Sequence, residues 1–202
     1  MDLLIATGNA GKVREFRDML GESRFGWRDL SHFAGEPPIE ETGRTFRANA
    51  CLKASTHARR HHFWTLADDS GLEVDALGGK PGVTSARWAE INGTGRGDAD
   101  NNAMLLRQLE NVPDDHRAAR FVCVLALADP DGRVILTARD TVEGRILRAP
   151  RGSNGFGYDP LFLIGNLGRT MAELEPEEKH QISHRGKALR RLRHLMERAG
   201  LV

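Results

Sequence analysis

Apolar and polar positions along this chain switch between two periods, and the switches mark its elements. Asp2–Thr7 is a short apolar run that ends at Thr7-Gly8-Asn9, which predicts a strand running into a tight loop. From Lys12 to Leu20 the apolar positions Val13, Phe16 and Leu20 have helical spacing, so the opening reads strand, loop, helix. Gly35 to Gly43 holds Pro37-Pro38 and a glutamate pair, and reads as a loop. Thr45–His61 predicts a helix, with Phe46, Ala50, Lys53 and Ala54 at helical spacing and Thr45 placed to cap it. Trp64–Ala67 is an apolar strand that runs directly into Asp68-Asp69-Ser70-Gly71, so the acidic pair is expected at a strand end. Leu72–Leu77 continues with apolar alternation, and Gly78 to Gly82 is a turn. Asp98–Glu110 predicts a helix with Ala103, Leu106 and Leu109 on one face. Arg117–Ala128 and Arg133–Val142 are strand-like and flank the turn Asp129-Pro130-Asp131-Gly132, a clear hairpin pattern. Arg151–Asp159 is a glycine-rich loop, and a basic helix begins at about Arg185.

Strands and helices interleave, but the hairpin comes late. That order predicts a mixed α/β fold, a central mixed sheet flanked by helices, rather than a purely parallel one. No repeat, low-complexity tract or long linker divides the 202 residues, which read as a single domain spanning 1–202. Composition adds exclusions. The formal net charge of +1 gives the molecule no strong field toward nucleic acid or a membrane. The N-terminus turns polar too early for a signal peptide, and no apolar run approaches the ~20 residues of a bilayer span. Cys51 and Cys123 lie in apolar surroundings and read as reduced core residues, as expected of a cytoplasmic protein. The basic residues are mostly arginine, with lysine only at positions 12, 53, 80, 179 and 187. A lysine retained against that bias suggests a need for its compact ammonium.

Candidate chemistry gathers on a few segments. Two carboxylates at Asp68–Asp69 offer the hard oxygens that Mg²⁺ requires, and such a carboxylate can also orient or deprotonate water. The same residues equally suit a solvated acidic turn. Glu40-Glu41-Thr42-Gly43 is a second acidic pair, a turn by itself and a metal site only if folding carries it to Asp68–Asp69. Thr7-Gly8-Asn9-Ala10-Gly11-Lys12 lies between strand and helix, where backbone N–H groups hold anions and Lys12 adds a charge. It is not a Walker A loop, since Val13 follows the Gly-Lys. Gly155-Phe156-Gly157-Tyr158-Asp159-Pro160 sets the only tyrosine beside glycines. Phe156 there can stack on a nucleobase, or the aromatics can pack into the core. Ser183-His184-Arg185-Gly186 precedes the last helix, with Ser183 a candidate cap and Arg185 a candidate fork of donors to a carbonyl or phosphate. His57, His61 and His62 have metal-like helical spacing, but beside Arg59 and Arg60 they read as a solvated helix end. The basic run Arg190 to Arg198 is backed by an apolar stripe of Leu189, Leu192, Leu195 and Met196, and so reads as core-facing.

Together these blocks resemble the inosine triphosphate pyrophosphatase family, house-cleaning enzymes for noncanonical purine triphosphates. The resemblance spans nearly the whole chain. It rests on Thr7-Gly8-Asn9 with Lys12 and Glu15, Glu41-Thr42-Gly43 with Asn49-Ala50 and Lys53-Ala54, and Ala67 to Leu72. It continues through Pro81-Gly82 with Ser85-Ala86-Arg87, Gly155 to Pro160, and Ile182 to Gly186. Their order and spacing make the match specific. It departs at Ala48, where the family commonly has glutamate, and at Thr84, where tyrosine is common.

The resemblance implies an elongated two-lobed fold with the active site in the cleft between lobes, a homodimer and Mg²⁺; the near-neutral charge separately leads us to expect no nucleic-acid or membrane partner. The resemblance also implies cleavage of ITP, dITP and XTP between the α- and β-phosphates, giving a monophosphate and pyrophosphate. Asp69 is then metal ligand and general base, with Asp68, Glu40 and Glu41 as further candidate ligands. Thr7, Gly8, Asn9, Ala10, Gly11, Lys12, Lys53 and Ser70 would hold the triphosphate. Phe156 would stack on the purine, with Gly157, Tyr158, Asp159, Lys179, His184 and Arg185 around the substrate. A donor from Arg185 or the backbone facing the purine 6-position would donate to a carbonyl and be left unpaired by adenine.

Overall fold

A computed structural model describes residues 2–20, 26–33 and 35–202. The strands are β1 (Asp2–Ala6), β2 (Gly26–Asp29), β3 (Trp64–Val74), β4 (Ala118–Ala128), β5 (Val134–Ile146), β6 (Phe162–Ile164) and β7 (Arg169–Thr170). The α-helices are α1 (Ala10–Leu20), α2 (Phe46–His61), α3 (Trp88–Ile91), α4 (Asp98–Gln108), α5 (Pro176–Ile182) and α6 (His184–Arg198). The strands form one seven-stranded sheet in the order β2-β1-β3-β4-β5-β6-β7. β1 pairs in parallel with β2 and β3, while β6 is antiparallel to β5 and β7, so the sheet is mixed as the sequence predicts. No helix among the described residues is long and apolar enough to cross a membrane.

The chain divides into two compact units. The first comprises Met1–Asp69, Cys123–Asp140 and Arg185–Val202; the second comprises Ser70–Val122 and Thr141–His184. In the first, Leu3 and Ile5 of β1, Leu66 of β3 and Cys123, Leu125 and Leu127 of β4 pack with Phe16 of α1. Ala188, Leu192 and Met196 of α6 join this core at a four-residue spacing, which turns Arg190, Arg191, Arg193 and Arg198 outward. Two of those arginines already have acidic partners, Asp140 for Arg191 and Glu197 for Arg193, which weakens a nucleic-acid reading of this helix. The second unit is built on Leu72, Leu105, Leu109, Phe121, Tyr158, Phe162 and Met171. A buried Arg117 ties its elements together by donating to the carbonyls of Ile146, Leu109 and Leu147 at 2.8, 2.6 and 3.0 Å.

One expectation needs correction. β3 does not stop before the acidic pair but continues through Asp68-Asp69-Ser70-Gly71 to Val74. Gly71 is there because the backbone beyond it is covered closely: a Cβ would overlap Ser85 Oγ and the Gly82 carbonyl. Ser85 Oγ instead accepts from Leu72 N at 2.9 Å and donates to Gly82 O at 2.6 Å, which holds the strand straight. Ser183 ends α5, its N–H donating to Lys179 O at 2.8 Å, and, in extended conformation, it immediately precedes α6 at His184, where the sequence places a candidate cap.

α2 begins as the sequence predicts. Thr45 is in extended conformation and its side chain accepts from Ala48 N at 3.1 Å. Thr45→Ala should therefore lower stability by about 1 kcal/mol. Urea denaturation at pH 7 measures it, and an unchanged midpoint would show that the cap contributes nothing.

Candidate active site

The acidic pair sits in β3 of the first unit, where neighbouring residues point to opposite faces. Their partners divide accordingly. Asp68 is fully buried, with Lys12 of α1 at Oδ1. At its Oδ2 are Arg185 Nε of α6, 3.4 Å away, and the Cys123 thiol of β4, 3.2 Å away. Asp69 faces α2, with Lys53 Nζ 3.6 Å from its Oδ1. Lys53 also donates to Glu41 at 2.7 Å, which fixes that glutamate at the site. The loop that carries Glu41 is itself tied to α2, because Gly43 N donates to the buried Asn49 Oδ1 at 2.7 Å. Glu40, one residue earlier, is exposed.

Charge decides the protonation states. Burial opposes ionisation of Asp68, but Lys12, Arg185 and Lys53 outweigh it and hold its carboxyl far below the usual range. For Asp69 burial prevails: helped by Glu41 and Asp68, it pushes the pKa up to about 6 against the pull of Lys53 and Lys12. Asp69 Oδ2 is buried and has no hydrogen-bond partner among the described residues. Such an atom is costly unless something else satisfies it. Lys53 loses solvation by burial, yet Asp69, Asp68 and Glu41 raise its pKa, so it stays cationic.

Arg185 is not displayed to a ligand. It is 1% exposed and its guanidinium binds Glu15 of α1 as well as Asp68. Burial costs it hydration, but those carboxylates raise its pKa and lock it in the charged form. In this structure Arg185 is therefore an ion-pair partner of Glu15 and Asp68, which hold its guanidinium in place. Glu15 enters the sequence reading only as part of a motif. Its pairing with Arg185 joins positions 170 residues apart, which no spacing rule anticipates.

At the N-terminus of α1, Asn9 Oδ1 accepts from Lys12 N at 3.0 Å, and Asn9 N donates to Thr7 Oγ1 at 3.3 Å. Gly8, Asn9 and Ala10 are exposed and Gly11 is buried, so an open loop leads into the helix start. The other site candidates belong to the second unit. Asp159 and Lys179 are a buried pair at 2.6 Å, and Asp159 also accepts from Phe156 N at 2.9 Å. Gly155 has φ +78°, and a Cβ there would overlap Asp159 Oδ2, so this turn requires glycine. Lys179 Nζ lies 4.9 Å from the centroid of the half-buried Phe156 ring. Gly157 N donates to Asp98 at 2.7 Å, and its carbonyl accepts from Asn102 at 2.8 Å. Tyr158 is a core residue: its ring is buried and its hydroxyl donates to Ser85 O at 2.9 Å. His184 is buried and stacks on Phe121 at 4.9 Å. Ser70 follows Asp69 within β3 and is half-buried. Asp98, Asn102 and Cys123, which hold parts of these clusters, carry no sequence signal beyond a helix start and a core position.

A buried, cation-flanked carboxylate cluster beside an open loop at a helix start, on a mixed α/β fold, is an arrangement suited to handling phosphate. The model of the Ham1 family matches residues 3–195, and the chain belongs to that family. A relative from Geobacillus kaustophilus, named dITP/XTP pyrophosphatase, is 52% identical over 191 residues, 95% of this chain and 92% of its own length. The structure of a HAM1 protein from Coxiella burnetii superposes with a TM-score of 0.86 at 40% identity, covering 98% of this chain and 99% of that one. A nucleoside-triphosphatase, or dITP/XTP pyrophosphatase, from Mycobacterium abscessus matches with a TM-score of 0.75 at 43% identity, covering 95% of this chain and 98% of that one. The resemblance read from the motifs and these findings agree on the family.

Proposed function

We propose that this chain hydrolyses deaminated purine nucleoside triphosphates, ITP, dITP and XTP, to the monophosphate and pyrophosphate, with Asp69 as general base. The observation that carries the chemistry is Asp69 itself: buried, with a partnerless Oδ2 and a pKa raised to about 6. A carboxylate tuned toward neutral pH is a better base for water than an ordinary aspartate. Relatives named dITP/XTP pyrophosphatase support the substrate class.

The donor set fits Mg²⁺. Asp69 and Glu41 are hard oxygen donors, one of them with an unsatisfied buried atom, and Glu15, Glu41, Asp68 and Asp69 outnumber Lys12, Lys53 and Arg185 by one charge. Asp69 with Glu41 is the ligand pair we assign; Glu40 is exposed, and Asp68 is saturated by cations. When bound, Mg²⁺ supplies charge that offsets the phosphate oxygens. Lys12 and Lys53 are cations at the site, and an entering triphosphate would share them with the carboxylates they now pair with. The first turn of α1, with Thr7 to Gly11, adds backbone N–H groups for the chain's anionic oxygens. Asp68, kept ionised, fixes Lys12 and Arg185 around this site.

In the second unit, Phe156 is the base-stacking candidate, and Asp159, Lys179 and Tyr158 fix the loop that presents it. His184 is assigned a place near substrate by family resemblance, as are the homodimer and the cytoplasmic setting. Free thiols at Cys51 and Cys123 suit a reducing compartment.

The test is pyrophosphate release from ITP, dITP, XTP, ATP, GTP, dUTP and dTTP with Mg²⁺. A donor facing the purine 6-position, as the resemblance implies, would be left unpaired by adenine at about 1–3 kcal/mol, so ITP and XTP should exceed ATP in kcat/KM by roughly 10- to 100-fold. Equal turnover of ATP would refute the substrate assignment, and release of orthophosphate would refute the bond cleaved.

A further inference from the structure

The histidines at the end of α2 are not the solvated turn that their arginine neighbours suggest. His57 is only 6% exposed and the His61 side chain 4%. They lie one helical turn apart with their rings stacked, 5.7 Å between centroids and 12° between planes. Phe33 covers His61 from outside at 3.9 Å. His57 Nδ1 and His61 Nε2 are both buried and neither has a hydrogen-bond partner among the described residues. Glu36 Oε2 is 3.3 Å from His61 Nε2 without the alignment of a hydrogen bond. One ligand atom from each of Glu36, His57 and His61 lies within 4.8 Å of the others.

We propose that Glu36, His57 and His61 bind a divalent transition-metal ion of the zinc type, on residues separate from the acidic site. Two imidazole nitrogens with one carboxylate are a donor set zinc uses, with solvent in the fourth position, whereas Mg²⁺ takes oxygen ligands. Partnerless nitrogens in a protected place cost stability, and a metal ion satisfies both at once. The carbonyl end of α2 favours a cation as well. Burial first, then the proximity of His61 and Arg60, lowers the His57 pKa to about 4, so its ring is neutral, the form that ligates metal. Arg60 opposes the site, because its Nη1 holds Glu36 Oε2 at 3.0 Å; Glu36 Oε1 is the other carboxylate oxygen available. Occupancy would pin Glu36 to α2, four residues ahead of Glu40, and so anchor the loop that carries the acidic pair.

The probe is Co²⁺ added to the metal-free, full-length chain in excess Mg²⁺, followed by visible absorption and then by displacement with Zn²⁺. One equivalent should give the intense bands of a four- or five-coordinate ion, bleached by equimolar Zn²⁺, and Zn²⁺ should raise the thermal midpoint. His61→Gln and Glu36→Gln should each weaken binding by at least about tenfold while circular dichroism shows the fold intact. Asp69→Asn should bind as the wild type does. A folded wild type that takes up no stoichiometric Co²⁺ or Zn²⁺ overturns the proposal. So does binding that survives both variants, or binding lost in Asp69→Asn instead.

Discussion

Asp69→Asn should lower turnover by roughly 10²–10⁴-fold, the usual contribution of a general base, while leaving the fold intact. The change is nearly isosteric and removes the charge on which the proposed water activation and metal binding depend. Pyrophosphate release under saturating ITP measures it. A variant with a tenth or more of wild-type turnover would remove Asp69 from the role of base.

The same substitution should make the metal-free protein more stable at neutral pH. Folding raises the Asp69 pKa from 3.8 to about 6, so the native state favours the protonated form. The native state then binds more protons than the unfolded one between those values, and stability falls as pH rises through that window. At pH 8 the ionised carboxylate costs up to about 3 kcal/mol, at 1.36 kcal/mol per pKa unit. The neutral amide of the Asp69→Asn variant escapes that cost. Urea denaturation with a chelator should show the variant more stable at pH 8 and equal to wild type near pH 4. Added Mg²⁺ should stabilise wild type and leave the variant unchanged. A variant less stable at pH 8 would mean that pairing with Lys53 outweighs burial.

This conflict between stability and chemistry explains which parts of the site can be read from sequence. Asp68 and Asp69 look equivalent as a dipeptide. Strand geometry separates them, giving Asp68 to the cations of α1 and α6 and Asp69 to Lys53 and Glu41. Strong local patterns carry the strand–loop–helix opening, α2 with its Thr45 cap, and the turn at Asp129–Gly132. β6 and β7 are three and two residues long and have too little pattern to stand out. α5 does have a usable local signal, although a short one: Glu175, Pro176 and Glu178 form a capping box with proline in the first turn. The span of β3 is hidden because Asp and Gly are turn formers, whereas here tertiary contact with Ser85 overrides that preference. Burial of His57 and His61 is equally hidden, since Phe33 covers His61 from a distant segment and His61 stacks on His57.

Arg185→Met should destabilise the chain by about 3–5 kcal/mol, because it removes the guanidinium that two buried carboxylates share. At this chain length that is a fall in Tm of roughly 6–20 °C. Asp68 keeps Lys12 but loses its second-strongest attraction, and Glu15 loses a charged partner within the core. Arg185→Lys should recover only part of the loss, since an ammonium cannot fork to both acids. Pairing Arg185→Met with Glu15→Gln should recover more than either change predicts alone, a coupling that a double-mutant cycle measures directly. The pH dependence follows from Asp68. Its folded pKa lies below the ordinary value of 3.8, so its ion pairs contribute stability above that pH and lose it as the pH falls further. The deficit of Arg185→Met should accordingly be largest at neutral pH and shrink toward pH 3. A deficit under about 1 kcal/mol at pH 7, or one that does not vary with pH, would show that packing rather than charge holds Arg185 in place. Arg185 would then have to be released from its structural assignment and weighed again as a substrate-facing group.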